Sequence, residues 1–341
     1  MLVVNPFRER SASASNTLVT LADLREAQQR LRGVARRTPS IETEFPGNLR
    51  LFLKAESMQP IGSFKLRGAY NKAASLSPEV LHRGLITYSS GNHAQGVAYA
   101  ARALGTKAVI VMPSNAPEIK RRATEALGAE IVTVGPASME RKAKAEELAA
   151  ARGYTIIPPY DDKAIIAGQG TCGLEILEDL PDVDLVLVPV GGGGLLSGIA
   201  TAIHLQRPAA QVWGVEPELA ADATESVACG SIVHYTVEQT SRTLADGLRT
   251  QQIGELNFAH ISAFVAGMVT VTESEILQAM QAALLQARLV AEPSGAVALA
   301  AALHYAKQIP IHGKEHADKK ICVVISGGNV VPKILAAALA E

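Results

Sequence analysis

The sequence predicts an α/β fold: two open parallel-sheet domains, the smaller inserted in the larger, with an active site in the cleft between them. Three observations carry the expectation. Short β-rich runs alternate with longer stretches of helical spacing along nearly the whole chain. The runs are almost unbroken in apolar residues, as strands covered on both faces are. Segments rich in Gly, Ser and Asn fall where those runs end, which is where open α/β sheets bind ligands.

In chain order, residues 1–17 read as a flexible tail. Arg8, Glu9 and Arg10 interrupt any export signal there, and Ser11 to Asn16 is a Ser/Ala run with no apolar core segment. Thr20-Leu21-Ala22-Asp23 opens a helix that ends near Gly33. Strands follow at Leu85–Ser89, Ala108–Met112 and Glu130–Val134. Pro117 starts a helix that Gly128 stops. Later strands are Asp184–Pro189, Gln211–Val215 and Lys320–Ile325. Thr272-Glu273-Ser274-Glu275 is a capping box, after which Ile276, Met280, Ala283 and Leu284 share one face. Residues 84–157 form a compact strand–helix series, the small inserted domain. Residues 18–83 and 158–341 make up the large one.

Composition narrows the function classes. Lys and Arg number 32 against 33 Asp and Glu among 341 residues, so no basic excess draws in nucleic acid. A hydrophobic fraction of 48% with 19% charged excludes intrinsic disorder for the bulk of the chain. Cys172, Cys229 and Cys322 lie far apart, which implies neither a disulfide framework nor a zinc knuckle and fits a cytoplasmic, reducing setting. The uncharged run Leu185 to Gln206 contains Pro189 and consecutive glycines, which break a membrane-spanning helix. A soluble protein with no membrane partner is expected.

Four segments carry chemistry. Gly191-Gly192-Gly193-Gly194 follows a buried run and precedes a helix start, so backbone N–H groups and the helix N-terminus converge on a site suited to phosphate. A tight turn is the plainer reading of one glycine, and the run of four favours phosphate. The spacing fits neither G-x-G-x-x-G nor G-x-x-x-x-G-K-[ST]. In Gly62-Ser63-Phe64-Lys65, the lysine falls in a first helical turn, where the helix dipole disfavours a cation and so favours an amine nucleophile. Most other lysines read as solvated surface groups. Ser89-Ser90-Gly91-Asn92-His93 stands at another strand-to-helix junction, suited to a carboxylate or to simple N-capping. Ser326-Gly327-Gly328-Asn329 follows the last strand.

Assembled, S-F-K-x-R-G-A (Ser63–Ala69), S-S-G-N-H-A-Q-G (Ser89–Gly96), A-G-Q-G-T (Ala167–Thr171), G-G-G-G-L and S-G-G-N resemble the fold type II, tryptophan-synthase-like pyridoxal-phosphate enzymes. The branch most similar contains serine/threonine dehydratases and serine racemase, and the likeness runs from about residue 18 to 335. The resemblance implies that Lys65 bonds the cofactor's aldehyde beside Phe64, and that Asn92 hydrogen-bonds the ring's 3-hydroxyl oxygen. It also implies that Gly191, Gly192, Gly193, Gly194 and Leu195 cradle the phosphate. Ser326 would face the pyridine nitrogen, where a neutral hydroxyl leaves a weaker electron sink than a carboxylate does. Ser89, Ser90, Gly91, Asn92 and His93 would hold the substrate carboxylate, with Lys65 and Ser90 as the acid/base pair.

Further carry-over follows the same resemblance. Arg141 matches a substrate-side arginine and keeps an acidic substrate open, and Asp246 lies in another segment near the pocket. Glu216, the Ala220 carbonyl and Asp222 have the family's divalent-cation spacing, suited to Mg²⁺, Mn²⁺ or Ca²⁺. Tyr160 fits the dehydratase pattern, and Leu127 replaces an aromatic at the nucleotide site of animal serine racemase. The activity implied is an ammonia-lyase converting L-threonine or L-serine to a 2-oxo acid and ammonia, in a dimer or tetramer. The alternatives are a serine or hydroxyaspartate racemase with 3-hydroxyaspartate dehydratase activity, a β-replacement transferase of the cysteine synthase type, and a non-catalytic binding module.

Overall fold

The computed structural model describes residues 1–8, 18–116, 118–135, 138–310 and 319–340. Its strands, in chain order, are β1 (Leu2–Val4), β2 (Ser40–Phe45), β3 (Leu49–Lys54), β4 (Leu85–Tyr88), β5 (Ala108–Pro113), β6 (Glu130–Val134), β7 (Thr155–Ile156), β8 (Leu185–Pro189), β9 (Gln211–Pro217), β10 (Gly267–Val271) and β11 (Ile321–Val324). They form a seven-stranded sheet in the order β1-β10-β9-β8-β11-β3-β2 and a four-stranded sheet in the order β6-β5-β4-β7. The small sheet's strands all lie between β3 and β8 in the chain, and every pair in it is parallel.

The central strands of the large sheet are parallel and apolar throughout because both faces are covered. In β8, Leu185 and Leu187 join the core under the helices Glu273–Leu285 and Pro293–Tyr305. Val186 and Val188 point the other way, toward the helix Gly194–Gln206. Alternate side chains of one strand thus serve two cores, and no polar residue is tolerated on either face.

Both rims depart from the expected parallel pattern. β2 and β3 pair antiparallel, from Ser40 opposite Lys54 to Phe45 opposite Leu49. Only Pro46, Gly47 and Asn48 join them, and a connection that short can close an antiparallel pair alone. At the other rim β1 runs antiparallel to β10, with Leu2, Val3 and Val4 opposite Val269, Met268 and Gly267. This corrects the expectation of a flexible tail for residues 2–4: three apolar residues find a distant open edge that local pattern does not reveal. Residues 9–17 and Pro117 lie outside the described residues.

Two expected helix starts are present with full capping boxes, Thr20 with Asp23 and Thr272 with Glu275. The helix Lys163–Asp179 is the central support of the fold. A Cβ on its Gly168 would stand 2.7 Å from the Cα of Gly68 in the helix Lys65–Ala74. On its other side, a Cβ on Gly198 of the helix Gly194–Gln206 would stand 2.5 Å from the Gly170 nitrogen. The Ala-Gly-Gln-Gly-Thr motif is therefore a packing device that lets the lysine helix and the glycine-loop helix grip one backbone.

Candidate active site

Lys65 is the first residue of its helix, and the segment before it is stitched to the loop after β11. Phe64 N–H donates to the Ser326 carbonyl at 3.0 Å, Gly328 N–H donates to the Gly62 carbonyl at 2.9 Å, and Ser63 bridges Gly327. Two of the sequence-predicted segments are thereby one structure. The Lys65 amine donates to the Pro159 carbonyl at 2.7 Å and lies 5.2 Å from the Phe64 ring centroid. Burial pulls its pKa down to about 8. Two residues on, Arg67 is 1% exposed and forks onto two carboxylates: Nε and one terminal nitrogen reach Glu56 at 2.8 Å, and both terminal nitrogens reach Glu175 at 2.7 and 2.8 Å. Lys54 supplies the second cation, 2.7 Å from Glu175. Burial alone would raise the Glu56 carboxyl, yet the Arg67 guanidinium holds it below the ordinary range. Two cations and two carboxylates thus balance inside the protein and pin the start of the lysine helix.

The glycine run lies after β8. Gly193 takes φ +95° and precedes the first helical residue, Gly194, so the chain turns into the helix N-terminus through a conformation that favours glycine. Leu195 follows, buried. A Cβ on Gly192 would stand 2.1 Å from the Tyr160 ring, so the ring closes over bare main chain. Tyr160 belongs to a segment with several tasks. Pro159 receives the lysine, Asp161 accepts from the N–H groups of Glu255 and Leu256 at 3.1 and 3.0 Å, and Asp162 caps the helix Lys163–Asp179. Burial pushes the Tyr160 phenol up to about 12, so it stays a neutral hydroxyl.

Ser89, Ser90 and Gly91 lie between β4 and the helix Asn92–Ala103, with Gly91 N–H donating to Ser89 Oγ at 3.3 Å. Asn92 reaches across to the large sheet's loops: its amide nitrogen donates to Glu292, and its amide oxygen accepts from Asn329 at 2.7 Å. The His93 ring turns inward instead, its Nε2 donating to the Ile157 carbonyl at 2.9 Å. Burial first, and then the Lys65 charge, hold that imidazole near 3, so it is neutral and its side chain is a packing group. What His93 can offer a carboxylate is its backbone N–H. Ser326 is buried, its hydroxyl 3.4 Å from the Ser294 carbonyl. Ser294 Oγ in turn accepts from Gly247 N–H at 2.9 Å, and Asp246 beside it pairs with Lys120 of the small-sheet region. Arg141 stands in the helix Ser138–Arg152, half-buried.

Three participants escape a motif-based reading: Glu292, Asn329 as a partner of Asn92, and Lys120. Glu292 is 3% exposed. Burial, then the Asp246 charge, raise its carboxyl to about 7 against the Asn92 hydrogen bond and Lys120. Its one sequence signal is an acidic residue directly before Pro293, at the N-cap of a helix.

Glu216 is buried in β9, its carboxylate accepting from Ala223 N–H, Thr224 N–H and the Thr224 hydroxyl at 3.1, 2.7 and 2.6 Å. Asp222 begins the next helix, and both its carboxylate oxygens are buried with no hydrogen-bond partner among the described residues. Burial, then the Asp222 charge, push Glu216 well up, and burial lifts Asp222 to about 7. Ala220 lies between them in the turn after β9. Among the described residues no three of His, Cys, Asp and Glu cluster as metal ligands.

The residues fit a phosphorylated aldehyde. A weakly basic amine is buried, a side-chain-free loop stands at a helix N-terminus, and the buried Ser63 hydroxyl near the lysine in sequence has no hydrogen-bond partner among the described residues. Comparison with known proteins agrees. The family model described as pyridoxal-phosphate dependent enzyme matches residues 31–327. The chain is 43% identical over 317 residues to an L-threonine ammonia-lyase of Thermotoga maritima, covering 92% of this chain and 76% of that one. It is 38% identical to the L-threo-3-hydroxyaspartate ammonia-lyase of Saccharomyces cerevisiae, covering 91% and 93%. The structure of maize serine racemase superposes with a TM-score of 0.86 at 34% identity, covering 94% of this chain and 97% of that one. The chain belongs to the pyridoxal-phosphate dependent enzyme family, in its serine/threonine dehydratase and serine racemase branch.

Proposed function

We propose that this protein is an ammonia-lyase that converts a β-hydroxy amino acid, L-threonine or L-serine first, to a 2-oxo acid and ammonia. The observation that supports the reading is the Lys65 amine, brought down to about 8 by burial and bonded to Pro159, whose neighbour Tyr160 closes over Gly192. Bound pyridoxal phosphate supplies the electron sink that makes the substrate's Cα–H acidic. Gly191 to Leu195 hold its phosphate, Asn92 its 3-oxygen, and Ser326 offers the ring nitrogen a neutral hydroxyl. The N–H groups of Ser89 to His93 bind the substrate carboxylate at their helix N-terminus. Lys65 then takes the Cα proton as general base. In net terms the Cα proton and the β-hydroxyl leave together as water, and the enamine product, once released, hydrolyses to the 2-oxo acid and ammonia.

Ser90 and the racemase and hydroxyaspartate relatives favour a second reading within the branch, in which Ser90 carries a proton on the opposite face and Arg141 meets an acidic side chain. A 2-oxo acid assay across L- and D-serine, L- and D-threonine and both 3-hydroxyaspartates, with chiral analysis of residual serine, separates the two. Absence of 2-oxo acid from every substrate overturns the lyase assignment.

A divalent cation at Glu216, the Ala220 carbonyl and Asp222 belongs to the same proposal, supported by the two unpartnered Asp222 oxygens. So do the dimer or tetramer that is the family's habit, read by light scattering, and a cytoplasmic setting. No described helix is long and apolar enough to cross a membrane.

A further inference from the structure

Asn92 presents an amide whose orientation is decided by its neighbours. Its oxygen accepts from Asn329 Nδ2 at 2.7 Å, and its nitrogen donates to Glu292 Oε1. Asn329 cannot reverse, because its nitrogen's second hydrogen is given to the Ile61 carbonyl at 2.8 Å. Glu292 only accepts once it is ionised, above the value of about 7 to which burial raises it. A flipped Asn92 would set nitrogen against nitrogen at one end and oxygen against oxygen at the other. Both contacts would turn repulsive, so a single orientation survives. It leaves Asn92 with one uncommitted N–H.

Glu292 is held as firmly as the group it holds. It stands at the N-cap position of the helix Pro293–Tyr305, its side chain left free of capping, and its backbone N–H donates to the Gly327 carbonyl at 3.0 Å. A Cβ on Gly327 would stand 2.1 Å from Glu292 Oε1 and 3.2 Å from Asn92 Nδ2, so the pair is pressed against the loop that carries Ser326. The charged groups that face Glu292 are Asp246, in the turn Asp246–Leu248, and Lys120, in the helix Glu118–Glu125. A carboxyl this deeply buried is costly unless hydrogen-bonded, and Asn92 is the partner that satisfies it.

We propose that Glu292, with Asn329 behind the same amide, is a positioning residue that makes the Asn92 N–H, rather than its carbonyl, the group met by the cofactor's 3-oxygen. The inference rests on the pyridoxal-phosphate reading of the site. Glu292 acts through Asn92: its removal takes away one of the two contacts that fix the amide and leaves Asn329 alone to hold it.

The test is a fluorescence titration of the full-length chain, stripped of cofactor, with pyridoxal 5′-phosphate and with its 3-deoxy analogue. Glu292→Ala is expected to weaken pyridoxal 5′-phosphate about tenfold, the worth of one charge-assisted hydrogen bond, and to leave the 3-deoxy analogue unchanged. Glu292→Gln keeps an acceptor oxygen and should recover most of the loss. Asn329→Ala should repeat the selective weakening from the other side of the amide, which keeps the test open if a Glu292 variant fails to fold. Equal weakening of both ligands would mean a merely structural role, and no weakening would mean no role; either overturns the proposal. If the unaltered chain binds neither ligand, the cofactor reading fails first and this inference falls with it.

Discussion

The Lys65 amine and the Pro159 carbonyl meet at 2.7 Å, joining the first turn of one helix to the loop that precedes another. The bond gives the amine a resting partner that carries no charge, so nothing there offsets the loss of solvation that lowers its pKa to about 8. In the cofactor-free chain, acylation of Lys65 followed by peptide mass spectrometry should therefore show a midpoint near pH 8. The sign is fixed by the direction of the shift: at that pH about half of this amine is uncharged, against under about 1% of an exposed lysine. A midpoint above 10 would contradict it. Lys65→Ala should lose both turnover and the cofactor's visible absorbance.

Gly192→Ala places a methyl 2.1 Å from the Tyr160 ring. The ring must swing away or the loop must shift, and with the phosphate held there as proposed the Kd for pyridoxal 5′-phosphate should rise at least about tenfold, about 1.4 kcal/mol. Tyr160→Ala on the same background removes the obstacle and should restore part of the affinity. Equilibrium titration of the two variants checks both statements.

Arg67→Met leaves Glu56 and Glu175 buried with Lys54 as their remaining cation. Breaking a buried ion pair from one side costs about 3–5 kcal/mol, which should appear as a lower urea midpoint. Arg67→Lys cannot fork onto two carboxylates and should fall between the two. Unchanged midpoints for both variants would show that the quartet contributes little.

Mg²⁺ should raise the melting temperature of the unaltered chain and not that of Asp222→Asn. Glu216 and Asp222 are buried close enough that the Asp222 charge pushes the Glu216 carboxyl up, and a cation relieves that repulsion. At a hundredfold excess over Kd a bound ion adds about 2.7 kcal/mol. Calorimetry with and without the metal reads the difference directly.

The large-scale plan was legible because parallel strands buried on both faces are written as nearly unbroken apolar runs, and β4, β5, β8, β9 and β11 carry that signature; β6, at a sheet edge with Glu130 and Thr133 exposed, was legible from its β-branched residues instead. β2 and β3 lack it, since one face of the hairpin is exposed and polar residues such as Glu42, Glu44 and Arg50 interrupt the pattern. The signal that marks them is the Pro46-Gly47-Asn48 turn between alternating residues. In the site, the residues borne by glycine- and serine-rich segments could be read from the sequence. Glu292 and Lys120 could not, because a carboxylate and an ammonium become notable only when folding buries them together. His93 shows the converse: a residue inside a motif whose ring folding turns away toward Ile157.

The short strand β1 has an effect out of proportion to its length. By pairing with Gly267, Met268 and Val269 it covers the outer rim of β10, a five-residue run of high β propensity. Trim the chain past Val4 and that rim presents bare amide and carbonyl groups to any neighbouring molecule, a ready template for intermolecular strand addition. Such a truncation would show itself as clumping and lost solubility well before any change at the distant lysine.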